Sequence, residues 1–339
     1  MHPFLIDMLA CPACRGELTW HITEQDHTHI ETAEATCKNC GSRYPVREGI
    51  GIFLTADLPR EDLWEEVESH IASHLQDHPE IERKLMGSPL KDLSPADQFF
   101  RAMILDERGA FEQAKAAFEV ANLELYTPAY LDCCEAQIAF LLEKLSDCRG
   151  PIIDLASGMG QLVERMAKEL TPQVVATDFS LRVLRQDRKR FTHAGLDERI
   201  SLIACDAHRM PFRNDSVGML TTYLGLANIR QPLELLRELH RIVNGTLMAI
   251  MHFFPEDDPE NREVIRDLGL ADLLYRDIAL KAFDQTDWRA TLMNACEGIA
   301  RPTPSGVILE GAKIDGLPAA ETMLEWGVIK ATRKRSGFS

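Results

Sequence analysis

Nine cysteines stand in this 339-residue chain, and four of them come as two CxxC pairs: Cys11 and Cys14 in CPAC, Cys37 and Cys40 in CKNC. Thiolate sulfur suits zinc, which prefers four tetrahedral ligands. A CxxC pair sits on a tight knuckle that turns both sulfurs to one side. Gly16 and Gly41 follow the two pairs closely, as such knuckles need. Two knuckles with 22 residues between them predict a closed four-thiolate zinc site. Four protein ligands leave no open position for water, so the expected role is structural. A thioredoxin-type redox pair explains one CxxC but not two at this spacing. His21, His27 and His29, between the knuckles, read as solvated loop residues.

A second group of residues could hold a nucleoside. Asp154-Leu155-Ala156-Ser157-Gly158-Met159-Gly160 lies between the apolar run PII and the helical pattern QLVERMAKEL. A glycine-bearing turn from strand into helix lets the backbone approach a ligand and aims helix N–H groups at it. Asp178 ends the next apolar run, VVATDF, where a carboxylate can accept both hydroxyls of a ribose. Asp206 follows the third, in LIACDAHRMPF. Acids at successive strand ends share the edge of an open α/β sheet where such sheets bind ligands. The plainer readings are turn glycines, a helix N-cap at Asp178 and a loop acid at Asp206.

These groups need elements to position them. Thr127 and Pro128 start a helix as N-cap and first helical residue, and Leu131, Cys134, Ile138, Leu141, Leu142 and Leu145 line one stripe of it. Strand and helix patterns then alternate through TLMAIMHFF, which predicts βαβ units and a mostly parallel sheet. A final β-hairpin is expected within residues 261–339. Residues 56–125 are acidic and helix-favouring, and Trp64, Val67, Ile71 and Leu75 recur at helical spacing there. The expected organisation is a compact unit over 1–55, a helical connector over 56–125 and an α/β domain over 126–339. The connector and the first unit are expected to cap the substrate side.

Two resemblances attach to these motifs. The stretch LIDMLACPACRGELTW to CKNCGSRYPVREGIGIFL, with Leu5, Leu9, Tyr44-Pro45 and Arg47-Glu48-Gly49-Ile50, resembles the small zinc-ribbon proteins that activate methyltransferases. Residues 126–260 resemble class I S-adenosylmethionine-dependent methyltransferases of the ubiquinone and menaquinone type. The marks are the acid and glycine turn, the second and third strand-end acids, Met210-Pro211-Phe212 with Asp215-Ser216, and the helix LELLRELHRIV. WGVIKATR looks like that family's antiparallel last strand. The resemblance implies a Rossmann-like sheet. It implies that Gly158 and Gly160 cradle the methionine part of the cofactor, with Asp154 and Ala156 in the same motif. Asp178 would then hold the ribose, Asp206 the adenine amino group and Ala207 the ring edge. This chain departs from the pattern at Ala156, where the family has glycine, and at Asn244-Gly245, where it has Gly-Gly. A dinucleotide enzyme shares the glycine turn and second acid, but Val163 stands where its fingerprint wants a small residue.

Methyl transfer is an in-line displacement, so a protein mainly aligns the partners and excludes water. Candidates for the acceptor side follow the fourth and fifth strands: Tyr223, Asn228 and His252. Their plainer readings are a packed aromatic, a turn former and a satisfied strand-end histidine. No Asn/Asp-Pro-Pro-Tyr/Phe follows the fourth strand, which disfavours amino-group methylases of DNA or glutamine. Cys205, Cys133 and Cys134 read as core, and His208 as a surface loop residue. The arginine-rich SLRVLRQDRKRF reads as a solvated helix face and KATRKRSGFS as a frayed tail.

Lys plus Arg is 37 against 53 Asp plus Glu, for a net charge of −16. Phosphate contacts from Lys and Arg supply most of a bulk polyanion binder's affinity, so this balance disfavours RNA as acceptor and anionic membranes as partners. No run reaches the roughly 20 apolar residues of a membrane span. MHPFLIDMLA lacks a basic leader region, and the expected compartment is a reducing cytoplasm. The expected function is therefore methyl transfer from S-adenosylmethionine to a small-molecule acceptor. The open alternatives are ribosomal or transfer RNA methylation and a cofactor-binding scaffold without turnover. Self-association is left open.

Overall fold

A computed structural model describes residues 1–58 and 74–334. Trp64, Val67 and Ile71 of the expected amphipathic helix, and the end of the basic tail, lie outside the described residues. In chain order the elements are α1 (Leu5–Met8), β1 (Leu18–Gln25), β2 (Ile30–Cys37), β3 (Arg43–Arg47) and β4 (Ile50–Ile52), then α2 (Pro79–Gly87), α3 (Pro95–Glu107), α4 (Phe111–Leu125) and α5 (Pro128–Leu145). The α/β part holds β5 (Ile152–Leu155), α6 (Gln161–Glu169), β6 (Val174–Asp178), α7 (Leu181–His193), β7 (Ile200–Ala204), β8 (Val217–Tyr223), α8 (Pro232–Ile242) and β9 (Val243–Phe253). It closes with α9 (Pro259–Asp267), α10 (Ala271–Leu274), α11 (Arg276–Gln285), β10 (Trp288–Ala300) and β11 (Thr322–Arg333).

All the described strands join one sheet, in the order β1-β2-β3-β4-β7-β6-β5-β8-β9-β11-β10. From β7 to β9 the pairings are parallel, and β11 runs antiparallel to both neighbours. Reversal of strand order on either side of β5 makes that strand the topological switch point, where an open α/β sheet opens a crevice at its carboxyl edge. The apolar runs that read as strands are buried on both faces, as a helix-covered parallel sheet demands.

The cysteine-bearing unit is continuous with this sheet. Ile50, Gly51 and Ile52 pair in parallel with Leu202, Ile203 and Ala204 of β7. Leu5, Leu9, Cys11 and Phe53 share a buried cluster with Ile153, Val175 and Phe212. The unit thus extends the sheet in its plane at the β7 edge, beside the loop after Asp206: Ala10 donates to the Pro211 carbonyl at 2.9 Å and Arg213 to the Met8 carbonyl at 2.8 Å.

Thr127 caps α5, its hydroxyl accepting from the Tyr130 N–H, with Pro128 in the first turn. The buried stripe is Cys133, Cys134, Gln137, Ile138, Leu141, Leu142 and Leu145, whereas Leu131 is only half-buried. Helices α3 and α4 form a pair with their own small core around Phe100, Ala102, Ala114 and Ala117. Two ties hold that pair down. Asp106 and Glu107 bond Gln186, Arg190 and Arg182 of α7. Fully buried Asp97 accepts from the Val307, Ile308 and Leu309 N–H groups at 3.0–3.1 Å, fastening the long β10–β11 connection to α3.

Two expectations that concern charge need correction. Arg185 of α7 is exposed, as on a solvated face, but the other arginines of the helix are half-buried and paired. Arg182 pairs with Glu107, Arg188 with Glu31 at 2.7 Å and Arg190 with Asp187, so the helix is laced to the connector on one side and to β2 on the other. His29 is buried, not solvated, with its ring 4.1 Å from that of His2.

Candidate functional site

The two knuckles bring Cys11, Cys14, Cys37 and Cys40 together, all four Sγ atoms lying within 4.8 Å of one another. Cys11 and Cys40 stand 3.7 Å apart and Cys14 and Cys37 3.4 Å. Thiolates about 2.3 Å from one ion form a tetrahedron with edges of about 3.8 Å, so the group fits zinc. Each knuckle closes on a left-handed residue. In the second it is Gly41 at φ +72°, but in the first it is Arg15 at φ +61°. Gly16 is needed for another reason: a Cβ there would meet the Cys37 Sγ and the Asn39 side chain at 2.9 Å or less. Tyr44 Oη lies 3.2 Å from Cys11 Sγ, and the Asn39 N–H donates to Cys37 Sγ at 3.4 Å. Neither His21 nor His27 joins the group, and both are exposed.

At the carboxyl edge of β5 the chain turns through Ala156, Gly158 and Gly160, all with positive φ (+51°, +52° and +69°). The Gly160 N–H donates to the Ser157 carbonyl, and Gly160 is the N-cap residue of α6. The turn is held from both sides. Ser157 N–H donates to the Thr177 carbonyl on β6. The Gly158 N–H donates to Asp178 Oδ2 at 3.0 Å, while Asp178 Oδ1 accepts from the Ser180 N–H at 2.9 Å. Asp178 is therefore not the N-cap of α7, which is Ser180. Its carboxylate bridges the glycine turn and the turn after β6, at the strand end.

Asp154 has a different position. It is 1% exposed, accepts from the Thr221 hydroxyl at 2.7 Å, and burial pushes its carboxyl up to about 7. It lies beneath the turn, and its backbone carbonyl accepts from Thr177 and Ser157. Asp206 sits after β7 and caps the short turn Ala207–Arg209, accepting from the His208 N–H at 2.9 Å. His208 Nδ1 stands 3.2 Å from the same oxygen, and Nε2 meets the Arg230 carbonyl at 2.9 Å. Burial raises Asp206, but the His208 bonds outweigh it and hold the carboxyl below its ordinary range; the Asp206 bond in turn raises His208. His208, expected as a surface residue, is thus the fixed partner of Asp206.

Beyond β5 lies a second wall. Tyr126 and Tyr130 stack at 4.9 Å, Tyr130 meets Trp326 edge-on at 5.0 Å, and Trp326 meets His252 edge-on at 5.0 Å. Tyr126 donates to Asp315 at 2.8 Å, so the β10–β11 connection closes over this row. Tyr223, at the end of β8, faces Cys134 of α5. Burial lowers His252 to about 4, which keeps the ring neutral. His252 Nδ1 and the Nε1 of fully buried Trp326 have no partner among the described residues. Asn228 is exposed and donates to the Leu224 carbonyl within its own turn. The row was not legible in the sequence, because Tyr126, Asp315 and Trp326 are far apart in the chain, and the last-strand stretch that begins at Trp326 says nothing of its neighbours. On the other side, Met159 of the glycine turn and Met103 of α3 line a cavity of about 330 Å3.

Comparison with known proteins agrees with this geometry. Residues 152–245 match the family model described as a methyltransferase domain, and residues 2–49 match that of Trm112p-like proteins. The ubiquinone/menaquinone biosynthesis C-methyltransferase UbiE of Coxiella burnetii is 30% identical over 105 residues, 30% of this chain and 42% of that protein. The same-named protein of Cupriavidus taiwanensis is 31% identical over the same shares. The chain thus spans less than half the length of these curated relatives. Among solved structures, the YcgJ protein of Bacillus subtilis gives a TM-score of 0.47 at 13% identity, over 58% of this chain and 97% of that one. At that score the likeness adds nothing to the reading of the site. Strand order, glycine turn and matched segments agree: residues 152–245 form a class I, Rossmann-type methyltransferase domain, joined at its sheet edge to a Trm112p-like segment.

Proposed function

We propose that the chain transfers a methyl group from S-adenosylmethionine to a small-molecule acceptor and carries a structural zinc ion on Cys11, Cys14, Cys37 and Cys40. The observation that carries the cofactor assignment is the pair of carboxylates, Asp178 and Asp206, at the ends of neighbouring strands beside a left-handed glycine turn. S-adenosylmethionine, when bound, supplies a methyl group on an electrophilic sulfonium. The chain's own task is to hold and align. Asp178 accepts from the ribose hydroxyls, and the backbone at Gly158 and Gly160 admits the methionine part. Asp206 and the Ala207 N–H take the adenine edge. Asp154 and Ala156 shape the turn from beneath and touch no ligand.

The acceptor side is the aromatic row. A buried N–H without a partner costs about 1–3 kcal/mol, so the Trp326 indole suits an acceptor that offers it an oxygen or nitrogen. The flanking tyrosines and His252 suit a compact, flat or unsaturated molecule rather than a polymer. His252, neutral at physiological pH, is the group able to take a proton from it, while the Tyr223 hydroxyl, held protonated by burial, can donate a hydrogen bond to it. The relatives' printed role in ubiquinone and menaquinone biosynthesis supports a small molecule, and the paired arginines of α7 leave little for an RNA backbone.

Calorimetric titration of S-adenosylmethionine into the zinc-loaded protein, beside Asp178→Ala, tests the reading. Micromolar binding that weakens at least tenfold in the variant is expected. A folded protein that binds no S-adenosylmethionine refutes it. Steeply salt-dependent RNA binding would replace the small-molecule acceptor with a nucleic acid.

A further inference from the structure

Two cysteines distant in the chain meet outside the zinc group. Cys133 of α5 and Cys296 of β10 are 163 positions apart, with Sγ atoms 3.1 Å from each other. Cys296 is held in place. Gln137, one turn beyond Cys133 and fully buried, donates from Nε2 to Cys296 Sγ at 3.2 Å and to the Asn294 carbonyl at 2.9 Å. Asn294 stands at φ +55° within a register break of the β10–β11 pairing between Met293 and Cys296. Gly298 clears the other sulfur: a Cβ there would meet Cys133 Sγ at 3.0 Å. Cys134 does not compete, because its thiol faces the Tyr223 hydroxyl.

We propose that Cys133 and Cys296 are a modification site, forming a reversible disulfide with peroxide as oxidant, Cys296 reacting first and Cys133 resolving. The sulfurs need only close from 3.1 Å to about 2.05 Å. In the first step the Cys296 sulfur attacks one peroxide oxygen; an S–O bond forms, the O–O bond breaks, and water leaves. Sulfur is oxidised to the sulfenic acid and peroxide is reduced. In the second step the Cys133 sulfur attacks the Cys296 sulfur; the S–S bond forms, the S–O bond breaks, and the Cys133 proton leaves with the hydroxide as a second water. Burial assigns the roles. Cys296 is half-buried and reachable, whereas Cys133 is 5% exposed and its thiol is pushed up to about 12. A thiol of that kind meets peroxide slowly but resolves a sulfenic acid at contact distance. The Gln137 N–H holds the Cys296 sulfur in place for the exchange.

The full-length, zinc-loaded protein is treated with a few equivalents of hydrogen peroxide, alkylated, digested and analysed by mass spectrometry. A linked peptide pair carrying Cys133 and Cys296, lost on treatment with dithiothreitol, is expected. The thermal midpoint of the linked form should rise by on the order of 5 °C, since the bond closes a long loop. Cys133→Ser should leave a sulfenic acid on Cys296 that dimedone traps, and Cys134→Ser should keep the link. Two results overturn the proposal: free, alkylated Cys133 and Cys296 after oxidation, or Cys296 passing to sulfinic acid in the unmutated chain without a link. Cys296→Ser that oxidises at Cys133 as fast as the unmutated pair would overturn the assignment of roles. The site stands or falls apart from the methyl-transfer reading.

Discussion

Two glycines of the β5–α6 turn should respond to the same substitution by different amounts. Gly158 and Gly160 both sit in the left-handed region, at φ +52° and +69°. An L side chain there costs roughly 1–2 kcal/mol, and loss of glycine's freedom in the unfolded chain returns about 0.4–1 kcal/mol. A Cβ at Gly158 meets nothing within 4 Å, so Gly158→Ala should cost about 1 kcal/mol. A Cβ at Gly160 meets Phe191 Cζ at 2.6 Å, and Phe191 is 3% exposed with no room to swing away. Forcing that overlap adds roughly 1–3 kcal/mol, for a total of about 3 kcal/mol. The clash also shifts the first residue of α6, where the cofactor's methionine part is proposed to sit. Gly160→Ala should therefore weaken S-adenosylmethionine binding more than Gly158→Ala does. Ala156 is the internal control: it already carries a methyl at φ +51°, and Ala156→Gly should gain up to about 1 kcal/mol. Urea unfolding of the three variants, with cofactor titration of each, measures both effects. Equal losses for the two glycines, or a destabilised Ala156→Gly, would refute the reasoning.

Further outcomes follow from other parts of the fold. Gly245→Ala should cost more than 3 kcal/mol and sharply reduce soluble yield, because a Cβ there would stand 2.0 Å from the Gly218 carbonyl oxygen. Chelation of the zinc should lower the main calorimetric transition rather than reveal a separate small one, since β4 is paired with β7. Asp154 is held up to about 7 against roughly 3.9 unfolded, so its ionisation opposes folding. The stability it permits at low pH falls between about pH 4 and 7, by on the order of 4 kcal/mol, and then levels; Asp154→Asn should flatten that slope in urea unfolding. Asp97→Ala should leave three N–H groups of residues 307–309 unpaired and loosen the β10–β11 connection, read as faster amide exchange there.

Sequence reached some of this and not the rest, for physical reasons. Runs such as PIIDLAS and QVVATDF are strands buried on both faces, and their apolar continuity announces them. Thr127-Pro128 and the CxxC knuckles are local chemistry, complete within a few residues. By contrast, β4 has three residues, too few for any period, and its partner lies in another part of the chain. The arginines of α7 look solvated in isolation, because Glu31 and Glu107 reach them only through the fold. Asp97 reads as one more acid of a first helical turn until residues 307–309 arrive on it. Tyr223 and His252 were legible by position at strand ends, whereas Tyr126 carried no signal and Trp326 was marked only as part of a last strand, not as one of their neighbours.

The pairing of β4 with β7 also sets a timetable for synthesis. The cysteine-bearing segment emerges before the α/β part, and its hairpins make local contacts that can form as soon as metal is bound. Its last strand, however, needs a partner encoded about 150 residues later. At roughly 5–20 residues per second, that edge waits about 8–30 s on the ribosome with its backbone groups unpaired. Through that interval the nascent chain offers a strand edge to any neighbour. A ribosome-associated chaperone that shields such edges should raise the yield of this protein more than that of a methyltransferase domain lacking the N-terminal segment.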